Sequence, residues 1–312
     1  MRNAFAEEMT TLGASNLDIV LLSGDIGNKL FDKFKDSNQG RFINCGIAEA
    51  NMMGVASGMA LSGLRPVIYT ITPFTTTRCL EQIKVDACYH YVPVVIVGTG
   101  SGLSYAELGA THHSCEDLAI LRVLPGITLL APCDTIELRQ LLKAALLQEG
   151  PVYMRIGKKG EPDIHTKSAQ PLTIGKAARV REGKDICILA TGTIMSEVVK
   201  AAELLEQQGL SVRIESIHTI KPIDTDCLLD SFINFPLVAT CEEHSQIGGL
   251  YGTVAEWRAK QSGKLAGIVS FAVPDQFMHE VGDQDYAREK FGLTAKNMAD
   301  QISVQFKNYT KS

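Results

Sequence analysis

Two segments of the 312-residue chain carry residue types able to do proton and charge chemistry. The first is Phe42-Ile-Asn-Cys-Gly-Ile-Ala-Glu49-Ala-Asn-Met-Met-Gly-Val-Ala-Ser-Gly58, an apolar strand-like run that passes through Gly46 into a helix of small residues. It puts Glu49 at a helix start, where the positive end of the helix dipole tolerates an anion. A carboxylate there can share a proton with a ligand, although a first-turn acid is also a common helix-start residue. The second is Gly109-Ala-Thr-His112-His113-Ser-Cys-Glu-Asp-Leu-Ala-Ile-Leu-Arg122, preceded by the small-residue loop Gly98-Thr-Gly-Ser-Gly-Leu-Ser. Ligands of α/β sheets bind beyond the carboxyl ends of strands, so both histidines fall in site-forming territory. A buried, hydrogen-bonded structural role is the alternative for either. The dipeptide does not argue for a metal, because adjacent side chains diverge.

Positioning these groups requires a sheet. Short β-branched runs at 17–22, 66–71, 92–97, 127–131 and 152–156 are apolar on both faces, as strands of a helix-covered parallel sheet are. A second set follows at 186–190, 212–217, 237–241 and 268–273. Between them lie helix candidates at 48–61, stopped by Gly63, and at 197–208, stopped by Gly209. Ser114-Cys-Glu-Asp117 and Asp134-Thr-Ile-Glu137 read as capping boxes. Alternating β and α units predict two doubly wound α/β domains with mostly parallel sheets. The stretch 157–175, GKKGEPDIHTKSAQPLTIG, has three Gly, two Pro and no periodicity, and marks the boundary. The domains expected are 1–165 and 175–312, both of ordinary size.

Bulk properties exclude several classes. The chain is 45% hydrophobic and 21% charged, with net charge −5 and pI about 5.8. Nucleic-acid and anionic-membrane binders present a basic face, which this balance does not favour. Eight cysteines are scattered, with no Cys-x-x-Cys pair, as in a reduced cytosolic protein. The polar N-terminus and the lack of an apolar run of about 18 residues predict a soluble, cytoplasmic protein.

Taken together, GIAEANMMGVASGMALSGLRP, EQI at 81–83 and GATHHSCEDLAILRVLPGITLLAPCD resemble the pyrimidine-binding domain of the transketolase family. DICILATGTIMSEVVKAAELL, SIHTIKPID and CEEHSQIGG resemble the family's C-terminal domain, in the same order. The resemblance implies thiamine diphosphate as cofactor, with Glu49 hydrogen-bonding N1′ of the aminopyrimidine ring. It implies that His112 contacts the ketose donor near its reacting carbons, and that Arg155 and Arg2 grip its phosphate. Guanidinium groups suit that task because they bind phosphate bidentately. His113 falls where the family usually has Gln and is read as structural.

Departures from the family pattern bear on substrate and partner. Where transketolases have two Phe, the matching positions are Ile71 and Phe74, so the ring is expected to pack on Ile71, with Phe74 or Tyr69 nearby. Leu108 replaces an aspartate that reads a donor hydroxyl, and leucine cannot make that hydrogen bond. Gly100 replaces a phosphate-contacting histidine and Lys29 a phosphate-contacting serine. A non-standard sugar donor, modified, deoxy or sulfonated, is therefore expected. The Gly-Asp-Gly…Asn pattern that binds Mg2+ and the diphosphate does not occur; Gly24-Asp25-Ile and Gly282-Asp283-Gln lack its context. The implied protein is the C-terminal subunit of a split transketolase, with an N-terminal partner subunit carrying the diphosphate domain and Mg2+ in an α2β2 heterotetramer. The rivals are the beta subunit of a 2-oxo-acid dehydrogenase and a non-catalytic scaffold subunit. For Cys241-Glu-Glu-His244, a solvated or structural strand end is expected.

Overall fold

A computed structural model describes residues 1–27, 29–165 and 171–311. Part of the expected boundary, 166–170, lies outside the described residues. The strands are β1 Ile19–Ser23, β2 Phe42–Asn44, β3 Arg65–Ile71, β4 Val95–Thr99, β5 Thr128–Leu130, β6 Val152–Ile156, β7 Ala178–Arg181, β8 Ile186–Thr191, β9 Val212–Ser216, β10 Thr219–Lys221, β11 Leu237–Ser245 and β12 Gly267–Val273. They form a seven-stranded sheet, β10-β5-β6-β4-β3-β1-β2, and a five-stranded sheet, β12-β11-β8-β9-β7. Both are parallel except at one edge strand each, β10 against β5 and β7 against β9. The fold is α/β, with helices on the sheet faces.

The central strands form where β-branched runs are buried on both sides; β1, β4, β6, β8 and β9 have no exposed residue. β4 begins at Val95 rather than at 92 because Pro93 has no N–H to give a ladder. Leu17 is outside β1 and exposed. The helices Glu49–Leu61 and Met195–Gln207 end just before Gly63 and Gly209, both at positive φ.

Neither expected capping box closes fully: at the second, the cap forms but Glu137 reaches back to the Cys133 N–H. Asp134 caps the helix Thr135–Ala145, accepting from the Glu137 N–H at 2.8 Å. Ser114 caps nothing: the helix Asp117–Arg122 starts later, from Glu116, and the Ser114 hydroxyl is buried without a partner. Asp117 is instead taken up by Tyr153, whose hydroxyl donates to it at 2.6 Å.

The two sheets do not part cleanly at the linker. β10, from the second half of the sequence, is an edge strand of the first sheet. One core cluster joins Ile68 and Ile96 of the first sheet to Leu189 and Val238 of the second. A second fills the other side of the first sheet around Phe5, Phe31 and Tyr69. A third, with Ile188, Ile214 and Met298, belongs mainly to the second sheet. No helix among the described residues is long and apolar enough to cross a membrane.

Candidate active site

After β1 the chain steps to β2 on one side and returns to β3 on the other. This is a topological switch point, where open α/β sheets place ligands. Gly24 follows β1, Thr72 to Phe74 follow β3, and the loop from Gly100 follows β4. The helix Glu49–Leu61 enters after β2, so its first residue arrives at this edge. Gly24 is required there: a Cβ on it would lie 2.9 Å from Thr70 Oγ1 and 3.7 Å from Glu49 Oε1.

A connected row of side chains lines the edge. Glu49 is 4% exposed. Its Oε2 accepts from Arg78 Nη1 at 2.7 Å. The Arg78 guanidinium lies 4.2 Å from the Phe74 ring centroid, a cation–π contact. Phe74 meets His112 edge-on, centroids 5.3 Å apart, and Tyr105 meets His112 at 6.2 Å. His112 Nδ1 is 2.9 Å from Thr111 Oγ1. Burial, and then the neighbouring His113, push the His112 pKa below the usual histidine value, which favours the neutral imidazole. Lys158, just beyond β6, stands 4.7 Å from the Tyr105 centroid and pairs with Glu107.

The structure thus brings Glu49, Phe74 and His112 together, with Ile71 half-buried at the end of β3 and Leu108 exposed on the turn Ala106–Leu108. Gly100 makes room for an aromatic: at φ 80° its Cβ would lie 2.0 Å from the Tyr105 ring, so Tyr105 fills the space a side chain at 100 would take.

Other expected residues are elsewhere. Tyr69 is fully buried, stacked on Phe5 at 5.2 Å and edge-on to Phe31, and presents no ring to the cleft. Arg155 is 5% exposed and occupied: Nε is 3.3 Å from Asp117 Oδ2, and Nη2 donates to the Ser114 and Glu243 carbonyls at 3.1 Å each. A guanidinium with three protein acceptors has little left for a phosphate. Arg2 opens the helix Arg2–Ser15 and its Nε is buried without a partner. Lys29, at φ 65°, borders a groove against that helix with Asn3, Ala6 and Thr10. His113 is buried, with Nε2 3.3 Å from the Ala106 carbonyl. Glu242, Glu243 and His244 are not a solvated strand end: all are buried, Glu242 accepting from the Leu250 and Tyr251 N–H groups and Glu243 pairing with Arg288.

Sequence reasoning missed Arg78, Tyr105 and Lys158. A signal existed for Arg78, which is four residues after Phe74, the spacing that stacks side chains on helical turns.

The family described as "Transketolase, pyrimidine binding domain" matches residues 1–161, and "Transketolase, C-terminal domain" matches residues 175–298. The chain is 36% identical over 299 residues to a 6-deoxy-6-sulfo-D-fructose transketolase subunit of Clostridium sp., covering 96% of this chain and 92% of that one. It is 34% identical over 256 residues to one of the subunits of the apulose-4-phosphate transketolase of Phocaeicola vulgatus, covering 82% of each. Among solved structures, a split-gene transketolase described as an inactive beta4 tetramer matches with TM-score 0.90 and 34% identity over 98% of both chains.

Proposed function

The chain belongs to the transketolase family, and from that premise we propose that it is the C-terminal subunit of a split transketolase. It moves a two-carbon ketol unit from a modified ketose to an aldehyde acceptor. The observation that carries this reading is the row Glu49–Arg78–Phe74–His112 along one open edge. The dehydrogenase rival is not favoured, because the similar proteins above are transketolase subunits. The scaffold rival gives no reason for a buried carboxylate linked through Arg78 and Phe74 to a partly exposed imidazole.

The residues present fit the aminopyrimidine end of thiamine diphosphate. Glu49 offers a carboxylate in a nearly dry setting, and Phe74 and Ile71 offer apolar surface on which the ring packs. Bound there, the cofactor supplies the electron sink for breaking the ketose carbon–carbon bond. Glu49 holds the proton shared with N1′. Arg78 is 44% exposed on its side chain, so water already reaches the cation and it yields to an entering ring. His112, neutral and half-exposed, donates or accepts a proton at a donor oxygen.

The chain carries no Gly-Asp-Gly…Asn pattern. Mg2+ and the diphosphate are held by an N-terminal partner subunit in an α2β2 assembly. Ile47 and Tyr89 are each 83% exposed, and Val55, Leu61 and Val85 are also exposed around the Glu49 helix, an apolar surface suited to such a partner. Eight free thiols agree with a cytoplasmic setting. Leu108, exposed on the turn Ala106–Leu108, and Gly100 under Tyr105 support a donor other than xylulose 5-phosphate. Arg155 is withdrawn from the phosphate role, and Lys158 reaches His112 by way of Tyr105.

The test is reconstitution. Alone, with thiamine diphosphate and Mg2+, the chain turns over no ketose. Mixed with a chain bearing Gly-Asp-Gly…Asn, it prefers a modified donor. Turnover by this chain alone would falsify the split reading, and a clear preference for xylulose 5-phosphate would overturn the substrate reading.

A further inference from the structure

Away from the cleft, the loop after β5, the helix Thr135–Ala145 and the interdomain linker bring three metal-type ligands together. Cys133 Sγ, a Glu137 carboxylate oxygen and a His165 ring nitrogen all lie within 4.8 Å of one another. Glu137 is fully buried and Cys133 is 2% exposed. The His165 side chain is 8% exposed. Glu137 Oε1 is 2.9 Å from His165 Nε2, and Oε2 accepts from the Cys133 N–H at 2.7 Å. The backbone is fixed around them, because Asp134 accepts from the Ile164 and His165 N–H groups at 2.9 and 2.7 Å.

Two orphaned polar groups border this cluster. His218 is fully buried, Nδ1 engages Thr219 Oγ1 at 2.9 Å, and Nε2 has no partner. His218 is near enough to sense the charge of Glu137 and His165. The Ser216 hydroxyl lies against Cys133 and Glu137 and makes no hydrogen bond of good geometry. Buried polar atoms are normally satisfied, and unpaired ones beside a set of ligands point to a missing partner. None of these residues lies in the cleft row.

We propose that Cys133, Glu137 and His165 bind a zinc ion, with the unpartnered imidazole of His218 beside its fourth position. One thiolate, one imidazole and one carboxylate suit Zn2+, whereas Mg2+ and Ca2+ want oxygen ligands only. Zinc bonds of about 2.0–2.3 Å at tetrahedral angles require ligand atoms roughly 3.3–3.6 Å apart. The Glu137–His165 contact has to open by about half an ångström, and the wider separations have to close. Binding forms Zn–S, Zn–N and Zn–O bonds; the Cys133 thiol proton and any proton on His165 Nε2 go to solvent. The ion ties the linker to the first domain beside the crossing of β10. The site is structural and separate from turnover.

The experiment uses the purified chain, stripped with chelator and titrated with Zn2+ and Co2+. One equivalent binds, Co2+ gives a thiolate charge-transfer band with the strong visible absorption of a tetrahedral centre, and excess Mg2+ displaces neither. Cys133→Ser and His165→Gln each lose that band or weaken Zn2+ binding by roughly tenfold or more, while Cys241→Ser behaves as the parent. Zn2+ raises the Tm of the parent and not of the two variants, whose own cooperative melts show that they fold. Absence of stoichiometric binding, or binding and Tm response unchanged in both variants, overturns the site.

Discussion

Among the described residues, two arginine–carboxylate pairs near the candidate site differ in what surrounds them. In Asp117–Arg155 both side chains are at most 5% exposed, and the arginine's remaining donors go to the Ser114 and Glu243 carbonyls. The Tyr153 hydroxyl donates to the same aspartate oxygen at 2.6 Å. Glu243 is then held by Arg288 and Gln284, so the network spans both sheets. In Glu49–Arg78 the carboxylate is equally buried, but the arginine side chain is 44% exposed and rests on the Phe74 ring. The closed network ties the two sheets together, while the open pair borders the candidate site. A charge pair therefore reads as structural or functional by whether one partner still faces a space.

The comparison breaks most readily at Arg155. Replacing it with Met leaves Asp117 buried and uncompensated, a loss of about 3–5 kcal/mol by denaturant melts. Arg78→Met also leaves Glu49 without its partner but costs less, because the arginine side chain is 44% exposed and water already screens the pair. Equal effects would erase the distinction. Next is His112→Asn, expected to lower kcat of the reconstituted enzyme roughly 10²-fold with Tm unchanged. Parallel losses of Tm and kcat would make His112 structural.

Gly100→Ala comes third. Its new Cβ meets the Tyr105 ring at 2.0 Å in a backbone of φ 80°, so stability falls by about 1–3 kcal/mol. Tyr105→Ala in the same chain recovers part of that loss; no recovery would mean that the Tyr105 ring is not what Gly100 makes room for. The smallest effect is spectroscopic. His112 titrates below the ordinary histidine value in NMR, because burial and His113 disfavour its charged form. The imidazole is neutral at pH 7 and gains its proton only as pH falls through that lowered midpoint. A midpoint above 6.5 contradicts the placement.

Much of the fold was legible because parallel strands buried on both faces leave long apolar runs, as at Val152–Ile156. The missed strands are short edge strands: Ala178–Arg181 alternates polar side chains, and Thr219–Lys221 pairs with a strand far away in the sequence. Of the candidate site, the placement of Glu49 and His112 was legible from a strand-like run and a small-residue loop. Arg155 misled because an arginine at a strand end looks free until Asp117 and Glu243 are folded against it. Ser114-x-x-Asp117 misled for a related reason: Tyr153 takes the acid that a capping box would use. Tyr105 and Lys158 join the row only by tertiary contact, which no local spacing encodes.

The most direct measurement is Glu49→Gln in the reconstituted pair. The variant keeps nearly the same shape and removes the carboxylate at the buried helix start. Turnover of the ketose donor is expected to fall roughly 10³-fold or more while subunit association and Tm hold; near-normal turnover would contradict the role given to Glu49.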